Sequence, residues 1–450
     1  MMGLSDGHPP AGDQEPAANL FAWWMAILMA AYYALSTIDR TILVHLVDPI
    51  RNDLRLSDFE MSIILGPAFG FCLAFFALPF GWAVDRYPRR WILLFGVFSW
   101  SLATMLSGLA NSFLQLTLAR MAVAVGEAAL MPAALSLLAD RFPRRRLTTG
   151  IAVFNMGTKA GQSLAFVFAG LALAMAAGVA GSGSIFGGMK SWQLVLMMVG
   201  APGALMAFLI FTVREPPRRL ALKTVEEDAG SSFIAFLKER RAVFIPLFLG
   251  FCAVSIAGNA LLAWVPTHLG RAYGWTAVQY GPWLGAASAI GSLSLLAKGA
   301  IIDWLYARGM RDAALRFYTW LLMALTPLGV LAFMAPTPLM FVLGFSLLNI
   351  VALPFILYAL TTIQLITPSR YRGKAVGLFQ FLIPVFSQGL GPTVTAALTD
   401  FVFRDPAKLG WSLTIVTTVS MTTALVLLRY SLRTMRRSLA GTAEPRATDM

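Results

Sequence analysis

Apolar runs about twenty residues long recur along the whole 450-residue chain, and they constrain its fold more than any other feature. A helix needs about 20 apolar residues to cross a hydrocarbon core about 30 Å thick. Only 13% of the residues are charged, about half of the roughly 25% usual in soluble domains. A water-soluble fold of this length could not cover its surface with so few charges. The pattern therefore predicts an all-α membrane protein that crosses the bilayer many times.

Charged residues and Pro/Gly-marked breaks separate twelve such runs. We predict spans at about 20–48, 59–83, 91–110, 112–139, 147–177, 192–213, 243–268, 277–306, 313–335, 338–366, 373–398 and 410–432. The only long polar stretch, 214–242, lies between the sixth and seventh runs, near the middle of the chain. The predicted architecture is thus two six-helix bundles, 20–213 and 243–435, joined by a linker.

The two tails and the linker are predicted to lie outside the bundles. Residues 1–19 hold no Lys or Arg, which favours a disordered tail over the basic start of a cleaved signal, so the first run stays as a helix. Residues 436–450 form the second tail. In the linker, SSFIAFLKERR places three apolar side chains on one face, so it forms either a short helix on the inner membrane surface or a solvated connection. These side chains are Phe233, Phe236 and Leu237.

The basic residues predict the orientation. Loops after even-numbered spans, the linker and the C-terminal tail hold 25 of the 35 Lys and Arg residues, and loops after odd-numbered spans hold six. Because short cytoplasmic loops are the basic ones, both termini and the linker are expected in the cytoplasm and the protein in the cell membrane. The net charge of +13 then reflects topology, and no nucleic-acid partner is expected.

The two halves repeat a short motif. Gly81-Trp-Ala-Val-Asp85 follows the second span, and Gly299-Ala-Ile-Ile-Asp303 follows the eighth, 218 residues later. Internal repeats joined by a linker are typical of transporters, whose binding site lies near the midplane between the repeats.

The stretch GWAVDRYPRR at 81–90 resembles the loop signature of the major facilitator superfamily, with Pro88 where that family more often has Gly. The resemblance implies a secondary transporter that works by alternating access, with two pseudo-symmetric six-helix bundles. The second copy has Trp304 where the first has Arg86. The motif residues either gate the cytoplasmic side, through Asp85 above all, or only enforce orientation. They are Gly81, Asp85, Arg86, Arg89, Arg90, Gly299 and Asp303.

Three further stretches resemble the spinster-like subfamily: Ile38-Asp39-Arg40, RMAVAVGEA at 120–128 and WVPTHLGRAYGW at 264–275. The resemblance implies a substrate such as a lysophospholipid or sphingosine phosphate. Organic-anion symporters of the same superfamily also have Asp-Arg in the first span and Gly-Glu in the fourth. Proton-coupled symport of small organic anions, such as sugar acids or aromatic acids, is therefore the alternative.

Four of the charges within the spans cluster in the first and fourth. A charge near the bilayer centre costs between about 2.5 and 17 kcal/mol, so such groups face a wet interior and pair. Arg120 and Glu127 share one helix face but lie about 10 Å apart, too far for contact. Asp39 and Arg40 are the expected partners, because the first and fourth helices line the cavity in this superfamily. Glu127 and Asp39 either couple transport to protons or form a static pair that locks helix packing.

The basic residues inside the spans have several expected roles. Arg40 suits a phosphate-bearing substrate, because guanidinium binds phosphate through two hydrogen bonds. Arg120 either contacts substrate or sets the protonation of a carboxylate. Lys159 lies between Gly157 and Gly161, which permit close helix approach. Its position leaves two alternatives, a side chain that faces the cavity and one that points away from it. Lys298 is expected to extend to the membrane interface.

The four charges of the first half have no acidic counterpart in the second, where the seventh and tenth spans hold no Asp or Glu. A cavity polar on one wall and apolar on the other favours an amphipathic substrate over a sugar. The expected partners are such a small molecule, protons and the lipid bilayer.

Other protein classes are disfavoured. The chain lacks an ATP-binding G-x-x-x-x-G-K-[ST] motif, which disfavours an ATP-driven pump. Charges concentrated in one half do not form the symmetric rings of a channel. The three histidines are isolated, with no metal-ligand spacing and no nucleophile nearby, so neither a metal, a cofactor nor enzymatic activity is expected. They are His8, His45 and His268.

Overall fold

The computed structural model describes residues 20–180, 188–217, 232–310, 312–351 and 355–441, and these ranges contain no β-strand. The helices are α1 (Leu20–His45), α2 (Val47–Leu54), α3 (Asp58–Leu65), α4 (Pro67–Arg86), α5 (Arg89–Ser107), α6 (Phe113–Glu127), α7 (Leu130–Arg141), α8 (Arg144–Ala180), α9 (Ser191–Met206), α10 (Phe233–Glu239), α11 (Arg241–Tyr273), α12 (Ala277–Ala307), α13 (Ala313–Phe333), α14 (Pro338–Val351), α15 (Ile356–Ile366), α16 (Arg372–Ala397) and α17 (Leu409–Gly441). Shorter turns of 3₁₀-helix occupy Ala207–Thr212, Ser369–Tyr371 and Pro406–Lys408, and a π-helical segment occupies Leu398–Phe403.

Eleven helices or joined helix pairs of the described chain are long and apolar enough to cross a membrane. The tenth predicted span corresponds to α14 and α15, two shorter apolar helices on either side of 352–354, which lie outside the described residues. The prediction of an all-α, multi-span protein is therefore confirmed. The helices α8, with 37 residues, and α11, with 33, extend beyond their predicted spans at both ends.

Two predicted spans are interrupted by prolines. Pro67 lacks an N–H and disfavours a helical conformation at the preceding residue. Gly66 accordingly has φ −118° and ψ −88°, and it separates α3 from α4. A Cβ at Gly66 would lie 2.3 Å from the carbonyl oxygen of Gln388, so the two halves approach closely at this break. Similarly, Pro132 has no N–H for the carbonyl of Ala128, where the fourth span divides into α6 and α7.

Successive spans run in opposite directions, which gives the bundle two ends. We call the end carrying α10 and the C-terminal end of α17 the linker side, and the end carrying α2 and the π-helical segment the far side. Apolar clusters fill each half separately, and a third cluster joins the halves. That third cluster includes Ile42 and Leu46 of the first half and Leu261 and Trp264 of the second.

The halves pack closely between the midplane and the far side. Ideal Cβ atoms at Gly281 and Gly66 would lie 2.3 Å from carbonyl oxygens of the opposite half. The Ser288 hydroxyl donates to Gln162 Oε1 at 3.1 Å, and the Phe59 N–H donates to Asp400 at 2.7 Å. These contacts close the far side and leave the linker side as the approach to the interior.

The helix α10 packs on the second half. Its Phe236 ring lies 5.1 Å from the Tyr371 ring and 5.5 Å from that of Phe244, and the side chain is buried. The Phe233 ring lies 5.8 Å from Tyr371. These contacts tie the end of the linker to the start of α11. A position of α10 on the inner membrane surface stays a prediction.

Candidate functional site

A cavity of about 190 Å³ lies at the centre of the bundle between the two halves. The first half contributes Tyr33, Thr37, Arg40, Thr41, Leu43, Val44, Leu65, Phe69, Arg120, Thr158 and Gln162, and the second half contributes Asn259, Leu262, Ala263, Gln388 and Pro392. The cavity wall contributed by the second half was expected to be apolar. This expectation is wrong, because it carries two amides, Asn259 and Gln388. Apolar side chains occur on both walls.

Arg120 and Asp39 form one buried ion pair beside the cavity. The Arg120 Nη1 atom lies 3.0 Å from Asp39 Oδ1, and both residues are 2% exposed. The Thr104 hydroxyl of α5 donates to the other oxygen of Asp39. Both carboxylate oxygens of Asp39 therefore accept hydrogen bonds.

Arg40 and Glu127 form the second ion pair. The Arg40 Nε atom lies 3.1 Å from Glu127 Oε2, and the Ser36 hydroxyl donates to the same oxygen at 2.6 Å. Arg40 also donates to the Ser36 hydroxyl at 2.7 Å. The other oxygen of Glu127, Oε1, is buried and has no hydrogen-bond partner. The four charges thus pair as expected, each residue of the fourth span with one of the first: Glu127 with Arg40 and Arg120 with Asp39.

Phe69 holds both arginines in place. The guanidinium carbons of Arg40 and Arg120 lie 5.3 and 5.5 Å from the centre of its ring, within the range of a cation–π interaction. Phe69 is buried two residues after Pro67, so the start of α4 positions it. Sequence reasoning missed Ser36, Phe69 and Thr104. Ser36, four residues before Arg40 on the same face, was detectable from helical spacing, whereas the other two depend on tertiary packing.

The two lysines within the spans differ from the arginines. Lys159 is exposed and does not line the central cavity, although Thr158 and Gln162 do. Cβ atoms at Gly157 and Gly161 would lie 2.1 and 2.3 Å from carbonyl oxygens of α1, so the expected close helix approach is confirmed. Lys298 was expected to reach the membrane interface, and this is wrong. It is buried and donates to the carbonyl of Ile350 in α14.

Among the residues of the loop signature, Arg89 makes the most ion pairs and hydrogen bonds. It is 1% exposed, pairs with Asp140, lies 3.1 Å from Glu215 Oε1 and donates to the Pro216 carbonyl at 2.9 Å. These contacts join the third span to the ends of the fourth and sixth. Exposed Asp85 has no ion-pair partner within the described chain, so its gating role stays a prediction.

The remaining motif residues contact little. The Arg86 guanidinium lies 4.1 Å from the Trp82 ring, and Arg90 is half-buried. Asp303 is exposed in the second copy. No described atom lies within 4 Å of a Cβ built on Gly81 or Gly299, so this state leaves room beside both glycines.

The second half also has an ionic cluster on its linker side, as the first half has around Arg89. Asp312 pairs with Arg316 at 2.8 Å and with Arg436 at 2.6 Å. Burial alone would raise the pKa of Asp312, but hydrogen bonds from the two guanidinium groups hold this pKa below its ordinary value. The pKa of Asp312 is therefore lower in the folded state than in the unfolded state. Its ion pairs add to the free energy of unfolding at a pH above the unfolded-state pKa, and this contribution is lost as the pH falls through the folded-state pKa.

We expect Arg89→Ala to lower the free energy of unfolding by about 3 kcal/mol, because it leaves Asp140 and Glu215 without their buried cation. Arg90→Ala is the matched control, since half-buried Arg90 has no ion pair among the described residues. Thermal unfolding of both purified variants in one detergent measures the difference. Equal melting temperatures would show that Arg89 does not anchor these helix ends.

An ionic lock closes the far side. Arg271 of α11 lies 2.7 Å from Asp48 and 2.6 Å from Asp58, so it joins the second half to two helices of the first. Asp58 is fully buried and also lies 3.1 Å from Arg51. Beside this lock, the His45 Nδ1 atom and the Tyr280 hydroxyl are 3.1 Å apart across the halves.

No group of three or more His, Cys, Asp or Glu residues that could hold a metal ion occurs in the described ranges. The site instead consists of charge pairs around a central cavity, between two helical halves that are closed at one side. This arrangement defines a membrane transporter.

Comparisons with known proteins give the family. The model of the Major Facilitator Superfamily matches residues 29–392. The chain is 29% identical to an MFS-type efflux pump of Mycolicibacterium smegmatis, over 85% of this chain and 86% of that protein. It is 28% identical to protein spinster homolog 1 of Xenopus tropicalis, over 55% of this chain and 46% of that protein. It is 24% identical to a probable L-galactonate transporter of Escherichia coli, over 67% of this chain and 66% of that protein.

The fold matches a solved structure of a bacterial homolog of the human lysosomal transporter Spinster, in an inward-facing and unoccupied conformation. The TM-score is 0.77 at 23% identity, over 94% of this chain and 99% of that one. The chain belongs to the Major Facilitator Superfamily, which confirms the resemblance that the loop signature indicated. Its similarity to spinster proteins covers about half of the chain.

Proposed function

We propose that this protein is a proton-linked secondary transporter that carries an amphipathic, anionic, lipid-like molecule such as a lysophospholipid or sphingosine phosphate. The observation that carries this proposal is the pair of buried ion pairs beside the central cavity, in which Glu127 alone has an oxygen without a partner. We further propose that the protein lies in the cell membrane with its termini and linker in the cytoplasm, as the basic loops predict.

Glu127 is the better proton acceptor of the two carboxylates. Both oxygens of Asp39 accept hydrogen bonds, so protonation of Asp39 would displace a donor. Glu127 Oε1 has no donor to lose. Burial also disfavours the charged form of a carboxylate. Glu127 therefore accepts the proton, and Asp39 holds Arg120 in position.

Arg40 links the proton to the substrate. Its side chain is 29% exposed, lines the cavity and contacts Glu127. A phosphate or carboxylate that binds Arg40 competes with Glu127 for the guanidinium group. Glu127 then loses its cation in a buried position, which favours protonation. An anion and a proton thus bind together, which is the requirement for symport.

The substrate class rests on several observations. Arg40 and Arg120 suit an anionic head group, and apolar side chains on both walls suit an acyl chain. The similarity to spinster proteins supports a lipid-like substrate. The alternative, a small organic acid, is supported by the amides Asn259 and Gln388, which suit hydroxyl groups, and by the similarity to a probable L-galactonate transporter.

The halves alternate between two states in this proposal. With the linker side in the cytoplasm, the far-side lock of Arg271 holds an inward-facing state. Opening of the far side breaks this lock. On the cytoplasmic side, Asp85 then meets the basic loop after α7, and this contact holds that side shut.

The test is uptake of labelled lysophospholipid into proteoliposomes under an imposed pH gradient, with labelled galactonate in a parallel series. Lipid uptake that follows the gradient supports the proposal. Galactonate uptake without lipid uptake favours the organic-acid alternative. Lipid uptake that ignores the gradient would reject proton coupling while retaining the substrate class.

A further inference from the structure

Two lysines from opposite halves flank the interface between α8 and α12, and neither has a carboxylate partner among the described residues. Lys298 is 6% exposed, and its one hydrogen bond goes to the carbonyl of Ile350. An ammonium group has three N–H donors. Buried Lys298 therefore has donors to spare, and exposed Lys159 has all of its donors available.

The register of the two helices sets the positions of these lysines. Gly281 packs against Phe166 and Ser288 bonds Gln162, so the helices run antiparallel. Continued toward the linker side, this register places Lys159 opposite Gly291. Lys298 lies seven residues further along α12, which is about 10 Å.

By this register, Lys298 lies toward the linker side of the cavity, and Lys159 lies level with its linker-side end. Lys159 follows Thr158, a cavity residue, so it marks the linker-side edge of the cavity. Along the helix axes, Lys298, Lys159 and the two arginines follow one another from the linker side to the cavity centre.

Two unpaired like charges between moving halves have a mechanical consequence. Charges within membrane-spanning segments are costly unless they are paired. Since one lysine belongs to each half, their repulsion opposes the approach of α8 and α12 on the linker side. An oxyanion between them would accept their free N–H donors and turn the repulsion into attraction.

We propose that Lys159 and Lys298 form an oxyanion subsite on the linker-side approach to the cavity, and that its occupation favours closure of that side. The ligand is a phosphate or carboxylate group. Its identity as the head group of a transported amphiphile rests on the proposed function, whereas the subsite itself rests on the two lysines.

The experiment measures binding of dodecyl phosphate and of inorganic phosphate to the full-length protein in a neutral detergent, by isothermal titration calorimetry. Loss of a charge-assisted hydrogen bond should weaken dodecyl phosphate binding at least about 10-fold in Lys159→Gln and in Lys298→Met. Lys298→Arg should bind within about threefold of wild type, because it keeps the charge. Lys190→Gln, which removes a lysine on the far side that is paired with Asp53, should bind as wild type.

Unchanged dodecyl phosphate affinity in Lys159→Gln and Lys298→Met would overturn the subsite. Lys159 is exposed, so Lys159→Gln keeps the test valid if Lys298→Met fails to fold. Inorganic phosphate that binds with the same lysine dependence would support a site for a free anion, and binding of dodecyl phosphate alone would support a site for a head group. If lipid is taken up but dodecyl phosphate binding does not depend on the lysines, only the subsite is rejected. If dodecyl phosphate binding depends on the lysines but no lipid is taken up, only the proposed substrate is rejected.

Discussion

Replacing Arg120 with methionine is expected to lower the free energy of unfolding by about 3–5 kcal/mol, because it leaves Asp39 charged and buried without its partner. Both residues are 2% exposed, so the Asp39 carboxylate has little contact with solvent. The double variant Arg120→Met with Asp39→Asn should recover most of the loss, since it removes both charges together. Chemical denaturation of the three proteins in one detergent measures the difference.

The control for this prediction is Arg40→Met. Arg40 is 29% exposed, and its partner Glu127 can take up a proton, so this variant should lose much less stability than Arg120→Met. A double variant as unstable as Arg120→Met alone would show that the charge of Asp39 is not the cause. The pair would then have to act through packing against Phe69.

Replacing Arg271 with methionine is expected to release the far side. Arg271 joins Asp48 and Asp58 across the halves, and its loss leaves fully buried Asp58 with Arg51 alone as its cation. The buried carboxylate then favours separation of the halves, which hydrates it. A shift of about 1.4 kcal/mol toward the open state increases its population about tenfold while it remains a minority.

Accessibility from the far side measures this shift. The native thiols Cys72 and Cys252 are first removed, and Val44, which lines the cavity, is replaced by cysteine. This new thiol is the target of a membrane-impermeant maleimide. Labelling should be about tenfold faster with Arg271→Met and unchanged with Arg404→Gln, which removes an exposed far-side arginine. Equal labelling rates with and without Arg271 would show that the lock does not hold the far side.

Much of this architecture follows from the sequence because a bilayer permits few solutions. Runs of about 20 apolar residues must form helices, and charges among them must pair. The pairing of Arg120 and Glu127 with residues of the first span followed from helical spacing together with the family resemblance. The two pairs found, Arg120 with Asp39 and Arg40 with Glu127, are consistent with Asp39 and Arg40 pointing about 100° apart.

The parts that sequence reasoning missed depend on contacts between distant segments. Lys298 appeared free to reach the interface, because the sequence does not indicate that α14 presents the Ile350 carbonyl to it. The position of Asn259 and Gln388 in the cavity wall depends on how the halves tilt against each other. Phe69 contacts both arginines only because Gly66 and Pro67 interrupt the second span.

Whether Glu127 carries the transported proton is tested by comparing wild type with Glu127→Gln in proteoliposomes. Substrate accumulation under a pH gradient and proton entry are recorded together, and exchange of labelled for unlabelled substrate at equal pH provides the control. Glutamine keeps the shape of the side chain but cannot take up a proton. We predict that Glu127→Gln exchanges substrate as wild type does but neither accumulates it nor admits protons with it. Accumulation and proton entry equal to wild type would contradict the account and leave Glu127 as a structural charge.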